Sequence, residues 1–148
     1  MTNVEEMILG ITNEEVKALQ KELIVLYNME SFERKNYLEQ SMKLEGGIIE
    51  VVKDLEQQEE MHEAVLAMIL IKAGIKAKET SEKLPELMIS RPVSKVVKLD
   101  IERERTAIGL YEEIISKAGP NLAKVLKFIM EQEFGHVKIL ERFLLNSQ

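Results

Sequence analysis

The sequence predicts an all-α fold, a four-helix bundle made of two duplicated helical hairpins joined by a long crossover. The composition is typical of helical bundles, since 31% of the 148 residues are charged and only three are prolines. Apolar residues recur at steps of three and four over four long segments, as a buried helix face requires. A pattern of Glu, Tyr and His also recurs at an offset of 74 residues, which indicates a duplicated hairpin. We expect the whole chain, residues 1–148, to form one domain.

The first elements are predicted to be a short arm and a long helix. Residues 1–12 form the arm, which contains a helical turn ending at Gly10. Thr12 or Asn13 is a plausible N-cap for the first long helix, which we expect to continue to about Leu44. Gly46 and Gly47 follow and indicate a helix end and a tight turn.

The second long helix should run from about Ile48 to Ala73, with Gly74 as its C-terminal glycine. A Glu and a His occupy positions in its core stripe where the pattern requires apolar residues. The stripe consists of Val52, Leu55, Glu59, His62, Leu66 and Ile69.

Residues 75–92 are predicted to be the crossover, because their periodicity is weak and they contain two prolines. Eighteen residues can extend to about 60 Å, longer than a bundle helix of roughly 38 Å. The segment can therefore carry the chain from one end of the bundle to the other. A short helix around Ser81–Met88 is possible within it.

The third helix is expected from Val93 or Ser94 to about Lys117, and the fourth from about Asn121 to Leu145, after a Gly-Pro break. Their stripes match the first hairpin at the 74-residue offset. They consist of Val97, Ile101, Glu104, Ile108, Tyr111 and Ile115, and of Leu126, Ile129, Glu133, His136, Leu140 and Phe143.

Several classes of function are disfavoured by composition. The net charge of −6 and the absence of a basic block argue against a nucleic-acid partner. With no cysteine, the sequence cannot form disulfides, thiolate zinc sites or a rubredoxin-type iron site. The most apolar stretch, Val65 to Ile71, is too short to span a membrane, and the N-terminus does not resemble a signal peptide. These features fit a cytoplasmic protein.

The chemistry is carried by two Glu-x-x-His motifs, Glu59 to His62 and Glu133 to His136, which use both histidines of the chain. Residues three apart share one helix face, so each pair can bind one metal ion. Glu30 and Glu104 also match at the 74-residue offset, each 29 residues before the Glu of a motif.

Four carboxylates and two imidazoles in a core are unstable unless their charge is compensated. Two divalent cations would neutralise four carboxylates, and this ligand mixture suits iron or manganese. We predict a metal site in which Glu59 and Glu133 bridge the ions. Glu30 and His62 would hold one ion, and Glu104 and His136 the other, although which terminal Glu serves which ion is open. Two iron ions are the favoured cofactor, with manganese or a mixed pair as alternatives.

Further polar residues have both a structural and a functional interpretation. Tyr37 and Tyr111 either fill the core or hold a ligand carboxylate through their hydroxyls. Asp100 either orients a ligand histidine or lies on ordinary helix surface. Glu33 is either an extra mobile ligand or, more simply, pairs with Arg34 or Arg105. Gln58 and Gln132, four residues before each His, fit a surface position best.

These residues resemble the ferritin-like di-iron carboxylate family, and within it the rubrerythrin/erythrin branch. The likeness covers about residues 13–145 and includes a Glu-x6-Tyr on two helices, Glu30 to Tyr37 and Glu104 to Tyr111. Two departures matter. The sequence cannot supply a rubredoxin domain, and Ala107 stands where the third-helix carboxylate of rubrerythrins is expected.

The resemblance implies a ferritin-like bundle whose di-iron centre reduces hydrogen peroxide or reacts with dioxygen. It also implies a separate electron donor such as a rubredoxin-like protein. We expect a homodimer, with the arm and the crossover as candidate contacts. The alternatives are a ferritin-type ferroxidase or storage subunit, a di-iron oxygenase acting on an organic substrate, and a metal-free structural bundle.

Overall fold

The computed structural model describes residues 3–77 and 92–147, and every helix below lies in these two ranges. Most of the predicted crossover 75–92, with its possible helix around Ser81–Met88, lies outside them. The described residues form α1 (Val4–Leu9), α2 (Asn13–Ala18), α3 (Gln20–Lys43), α4 (Ile48–Lys72), α5 (Val93–Ile115) and α6 (Pro120–Asn146). None of these helices is long and apolar enough to cross a membrane.

The N-terminal arm forms α1, and α2 begins with the predicted cap. Thr12 Oγ1 accepts a hydrogen bond from the backbone N–H of Glu15 at 3.1 Å, and Glu15 Oε1 accepts one from the N–H of Thr12 at 3.0 Å. This reciprocal pair is a capping box, which satisfies two backbone donors at the helix start.

The prediction of one continuous helix from Thr12 or Asn13 to Leu44 is wrong, because the helix is interrupted at Leu19 (φ −120°, ψ 28°). The interruption accompanies a long-range contact. Glu15 Oε2 accepts a hydrogen bond from the backbone N–H of Leu122 at 2.9 Å, which ties α2 to the start of α6. Buried apolar residues continue at helical spacing through the interruption, so the sequence pattern does not reveal it. They are Val16, Leu19 and Leu23.

The four long helices otherwise end within two residues of the predicted positions. At the end of α4, the N–H groups of Gly74 and Ile75 bond to the carbonyls of Ile71 and Leu70, each at 2.9 Å. Gly74 has φ +78°, the left-handed conformation that this glycine-terminated motif requires. Pro120 is the first residue of α6, where its missing N–H costs nothing.

Helix α3 packs against α4 and α5 packs against α6, so the structure is two hairpins forming a four-helix bundle, as predicted. Among the described residues, two apolar clusters make up its core. Along each long helix, the predicted metal ligands lie between a residue of one cluster and a residue of the other. On α4, for example, Glu59 and His62 lie between Leu55 of one cluster and Leu66 of the other.

Candidate metal centre

All six predicted ligand side chains converge at the centre of the bundle. Helix α3 contributes one carboxylate, α5 contributes another, and α4 and α6 each contribute a Glu and a His. Each of the six residues is at most 1% exposed, so they lie in the protein interior and not on the surface. They are Glu30, Glu59, His62, Glu104, Glu133 and His136.

The donor atoms form two overlapping groups, each small enough to surround one ion. In both groups the ligand atoms lie within 4.8 Å of one another. Glu59 and Glu133 belong to both groups, which is the geometry that bridging carboxylates need. Glu30 and His62 complete the first group, and Glu104 and His136 complete the second. The arrangement pairs Glu30 with His62 and Glu104 with His136; their role as ligands stays a prediction.

Each histidine lies closest to the motif carboxylate of the other hairpin. His62 Nδ1 is 2.8 Å from Glu133 Oε1, and His136 Nδ1 is 3.0 Å from Glu59 Oε1. The terminal carboxylates lie slightly farther away, with both the His62–Glu30 and the His136–Glu104 distances at 3.4 Å. Neither candidate ion position is therefore built by one hairpin alone.

The two tyrosines connect the halves in the same crossed manner. The Tyr37 hydroxyl donates a hydrogen bond to Glu104 Oε1 at 2.7 Å, and the Tyr111 hydroxyl donates to Glu30 Oε1 at 2.7 Å. Both tyrosines are fully buried. Each tyrosine therefore binds Oε1 of the terminal Glu of the other hairpin, and Oε2 of that Glu accepts no hydrogen bond.

The sequence interpretation of Gln58 and Gln132 as surface residues missed their contacts with the histidines. Gln132 Oε1 lies 2.5 Å from His62 Nε2, and Gln58 Oε1 lies 2.7 Å from His136 Nε2. Because an amide oxygen only accepts, the Nε2 atom of each ring must donate. The repeat offset and the position four residues before each His were the signals that could have identified them.

Asp100 does not contact either histidine, and it is not on the surface. It is fully buried, and its Oδ1 accepts hydrogen bonds from Gln40 Nε2 at 2.7 Å and from the Arg103 guanidinium. Both readings of Asp100 from the sequence are therefore wrong. Burial raises the pKa of the Asp100 carboxyl to about 6, against the lowering effect of Arg103.

The ion pair predicted for Glu33 involves a different arginine. Arg103 Nε lies 3.4 Å from Glu33 Oε1, whereas Arg34 pairs with Glu63 at 3.0 Å. Arg105 pairs with another helix-surface carboxylate. Glu33 belongs to neither group of candidate ligands. Burial raises the pKa of Glu33 well above its ordinary value, although Arg103 opposes this.

Without cations the centre must hold protons. Burial raises the pKa values of Glu59 and Glu104 to about 8, and neighbouring carboxylates add to the effect. Burial also raises the pKa of Glu30, but its contacts with His62 outweigh this and hold it at about 2. The carboxylates around His136 outweigh burial and raise its pKa to about 12, and the pKa of His62 is likewise raised.

The donor set fits a pair of divalent cations. Eight buried atoms of the described residues face the centre and meet only one another, and atoms of this kind cost about 1–3 kcal/mol each when they are left unpaired. Oxygen and imidazole donors suit iron and manganese, and two divalent ions would neutralise four carboxylates. The eight atoms are Glu30 Oε2, both carboxylate oxygens of Glu59 and of Glu133, Glu104 Oε2, and Nδ1 of His62 and His136.

Comparison with known proteins gives two matches. A family model described as rubrerythrin matches residues 23–144. The structure is similar to that of a bacterioferritin from Desulfovibrio desulfuricans, described as having a diiron site in different catalytic states. That similarity has a TM-score of 0.68 at 15% identity and covers 97% of this chain and 83% of the other, so it shows a shared fold. Comparison with curated protein sequences gives no match.

Proposed function

This chain belongs to the rubrerythrin family, and we propose that it reduces hydrogen peroxide, or reacts with dioxygen, at a carboxylate-bridged pair of iron ions. The observation that supports this most is the set of eight buried donor atoms that face one another, in two groups sharing Glu59 and Glu133. A packed helical bundle does not need such atoms at its centre, because apolar residues of similar volume would be at least as stable there.

Two bound ferrous ions would supply the two electrons that, with two protons, convert one hydrogen peroxide molecule to two water molecules. Glu59 and Glu133 would hold the two ions at a short separation, because each belongs to both donor groups. Glu30 with His62, and Glu104 with His136, would complete the two positions.

The surrounding side chains would keep these ligands in place. Tyr37 and Tyr111 each donate a hydrogen bond to one oxygen of a terminal carboxylate, which fixes the orientation of that carboxylate. Gln58 and Gln132 accept from Nε2 of the histidines, which leaves Nδ1 to bind an ion. Apolar clusters flank the ligands toward both ends of the bundle.

The electrons that restore the ferrous state would come from a centre outside these 148 residues, since the sequence contains no cysteine to hold a rubredoxin-type iron. We propose a separate rubredoxin-like protein as the donor and a homodimer as the assembly. Stopped-flow mixing of the oxidised protein with a reduced rubredoxin tests the first point, and light scattering tests the second.

The peroxide reaction is tested by loading the protein anaerobically with Fe(II) and adding one equivalent of hydrogen peroxide. We expect a diferric absorption band to form within the mixing experiment, and we expect Glu133→Gln to lose it. Glu131→Gln, an exposed position on the same helix, is the matched control and should behave as the wild type does. If the loaded wild type forms no diferric band, peroxide reduction at this site is excluded.

A ferroxidase that stores iron is the second candidate, favoured by the fold shared with a bacterioferritin. The same six ligands would serve, with iron as substrate. Mass and iron content separate the two functions: an assembly of many subunits that retains far more than two ferric ions per chain indicates storage. A dimer that retains two supports the enzyme.

A further inference from the structure

Five polar residues form a network on one side of the candidate metal centre. Asp100 lies at its middle and accepts hydrogen bonds from Gln40 at 2.7 Å, from Asn36 at 3.3 Å and from Arg103. Arg103 also pairs with Glu33 at 3.4 Å. We call this network the polar end; it consists of Glu33, Asn36, Gln40, Asp100 and Arg103.

The polar end reaches from the metal centre to solvent. Glu33 lies one turn after Glu30 on α3, and Asp100 lies one turn before Glu104 on α5, so each carboxyl shares a helix face with a predicted ligand. At the outer side, the Arg103 side chain is 34% exposed, whereas those of Glu33 and Asp100 are 6% and 0% exposed. Arg103 and Asn36 are thus the members of the network that are partly exposed, whereas Glu33, Gln40 and Asp100 are buried.

The opposite side of the centre, around Tyr111 and Glu30, is apolar at every corresponding position. The 74-residue repeat offset relates the five residues of the polar end to five apolar ones. Glu33 corresponds to Ala107, Asn36 to Leu110, Gln40 to Ile114, Asp100 to Leu26 and Arg103 to Met29. We call these five the apolar end, and all of them belong to the buried or partly buried core.

The polar end is not required for packing, because the same helix positions pack with apolar side chains in the other half. Buried carboxyl groups cost stability unless they are fully paired. Here Glu33 Oε2, Asp100 Oδ2 and Gln40 Oε1 are buried and have no hydrogen-bond partner. Buried, unpartnered oxygens are suited to a cation, because they can replace water molecules that it sheds.

A divalent ion bound by the six ligands must pass through the protein, since each ligand is at most 1% exposed. We propose that the polar end is the route by which divalent cations move from solvent to the metal centre. Glu33 and Asp100 offer carboxyl oxygens along this route, and Arg103 closes its outer side until the guanidinium swings away. This inference rests on the proposed function only for the existence of the metal site.

The test measures the rate and the equilibrium of cobalt binding separately. Metal-free protein is mixed with Co(II) in a stopped-flow instrument, and the visible absorption of bound cobalt is followed. The nearly isosteric double variant Glu33→Gln/Asp100→Asn should take up cobalt about tenfold more slowly, because amide groups are weaker cation ligands than the carboxyl groups they replace. Its final stoichiometry and affinity should match the wild type. Arg103→Met should instead take up cobalt faster.

Two further variants serve as controls. Met29→Leu at the apolar end should change neither the rate nor the equilibrium. The five-residue variant that copies the apolar end onto the polar end (Glu33→Ala, Asn36→Leu, Gln40→Ile, Asp100→Leu and Arg103→Met) should fold, bind cobalt at equilibrium and show the slowest uptake.

The failures of the two proposals are distinguishable. Unchanged uptake by Glu33→Gln/Asp100→Asn, with normal binding at equilibrium, overturns the proposed route and leaves the metal site intact. Equal losses of rate and affinity also overturn it, because these residues would then be equilibrium ligands. Wild-type protein that binds no cobalt at all overturns the proposed function as well.

Discussion

Loading the metal centre with divalent cations should release protons, because the cation-free centre stores them. Metal-bound histidine must be neutral at the binding nitrogen and a metal-bound carboxyl must be ionised. The carboxylates around His136 outweigh burial and raise its pKa to about 12, and they also raise the pKa of His62. The pKa values of Glu59 and Glu104 are about 8.

These four groups set the number of protons that metal binding releases. Each is protonated at pH 7 before binding and must lose its proton on binding, so a pair of cations should release about four protons. Each cation's affinity should therefore rise about a hundredfold per pH unit near neutrality and fall by the same factor on acidification.

Isothermal titration with Mn(II) in several buffers of different ionisation enthalpy measures this number. The slope of the observed binding enthalpy against the buffer's ionisation enthalpy gives the protons released. His136→Gln should reduce the slope by about one proton and serves as the internal check. A wild-type slope below one proton per pair of cations would refute the reasoning, since the centre would then be ionised before metal arrives.

Three further predictions concern stability. Tyr37→Phe and Tyr111→Phe each remove a buried hydroxyl 2.7 Å from a carboxylate, so each should lower the free energy of unfolding by about 1–3 kcal/mol in urea titrations. Burial raises the pKa of Glu15, but its hydrogen bonds to Leu122 and other groups lower it overall. The stabilisation by these hydrogen bonds is present above the ordinary pKa near 4.5 and is lost on acidification below it. Glu15→Ala should therefore lower the free energy of unfolding by about 1–2 kcal/mol at pH 7 and by much less at pH 3. An equal cost at both pH values would contradict this. Because the pKa of Asp100 is raised from 3.8 to about 6, its ionisation destabilises the fold as the pH rises through that range. The stability of Asp100→Asn relative to the wild type should therefore rise by up to about 3 kcal/mol between pH 4 and pH 8, by thermal or urea unfolding.

The bundle and the convergence of six side chains could be predicted because two signals agree. Helical periodicity places Glu59 and His62 within an otherwise apolar stripe, and the repeat offset places Glu133 and His136 in the same setting. Charged groups at core positions require a compensating partner, whatever the detailed packing. The hairpin partners α3 with α4 and α5 with α6 follow from the short turns between them.

The interruption at Leu19 could not be predicted from periodicity. The residues on both sides are good helix formers, and the buried stripe continues through the break. What accompanies the break is the contact between Glu15 and the first turn of α6, more than 100 residues away in sequence. Such a contact depends on how the helices meet, which no local pattern encodes.

The polar residues around the metal centre were misjudged for a related reason. Gln58 and Gln132 are only partly buried and sit among charged neighbours, so each looks like a surface residue until the facing histidine is known. Asp100 and Glu33 meet their partners across two helices. Gln40 of α3 donates to Asp100 of α5, and Arg103 of α5 pairs with Glu33 of α3. A helix position alone does not specify which polar group meets it.

The most direct test of a two-ion centre is anomalous diffraction from crystals of the protein loaded with Fe(II) or Mn(II). We expect two strong peaks per chain, both within bonding distance of Glu59 and Glu133, one next to His62 and the other next to His136. Anomalous peaks confined to surface carboxylates, with the bundle centre empty, would contradict the account.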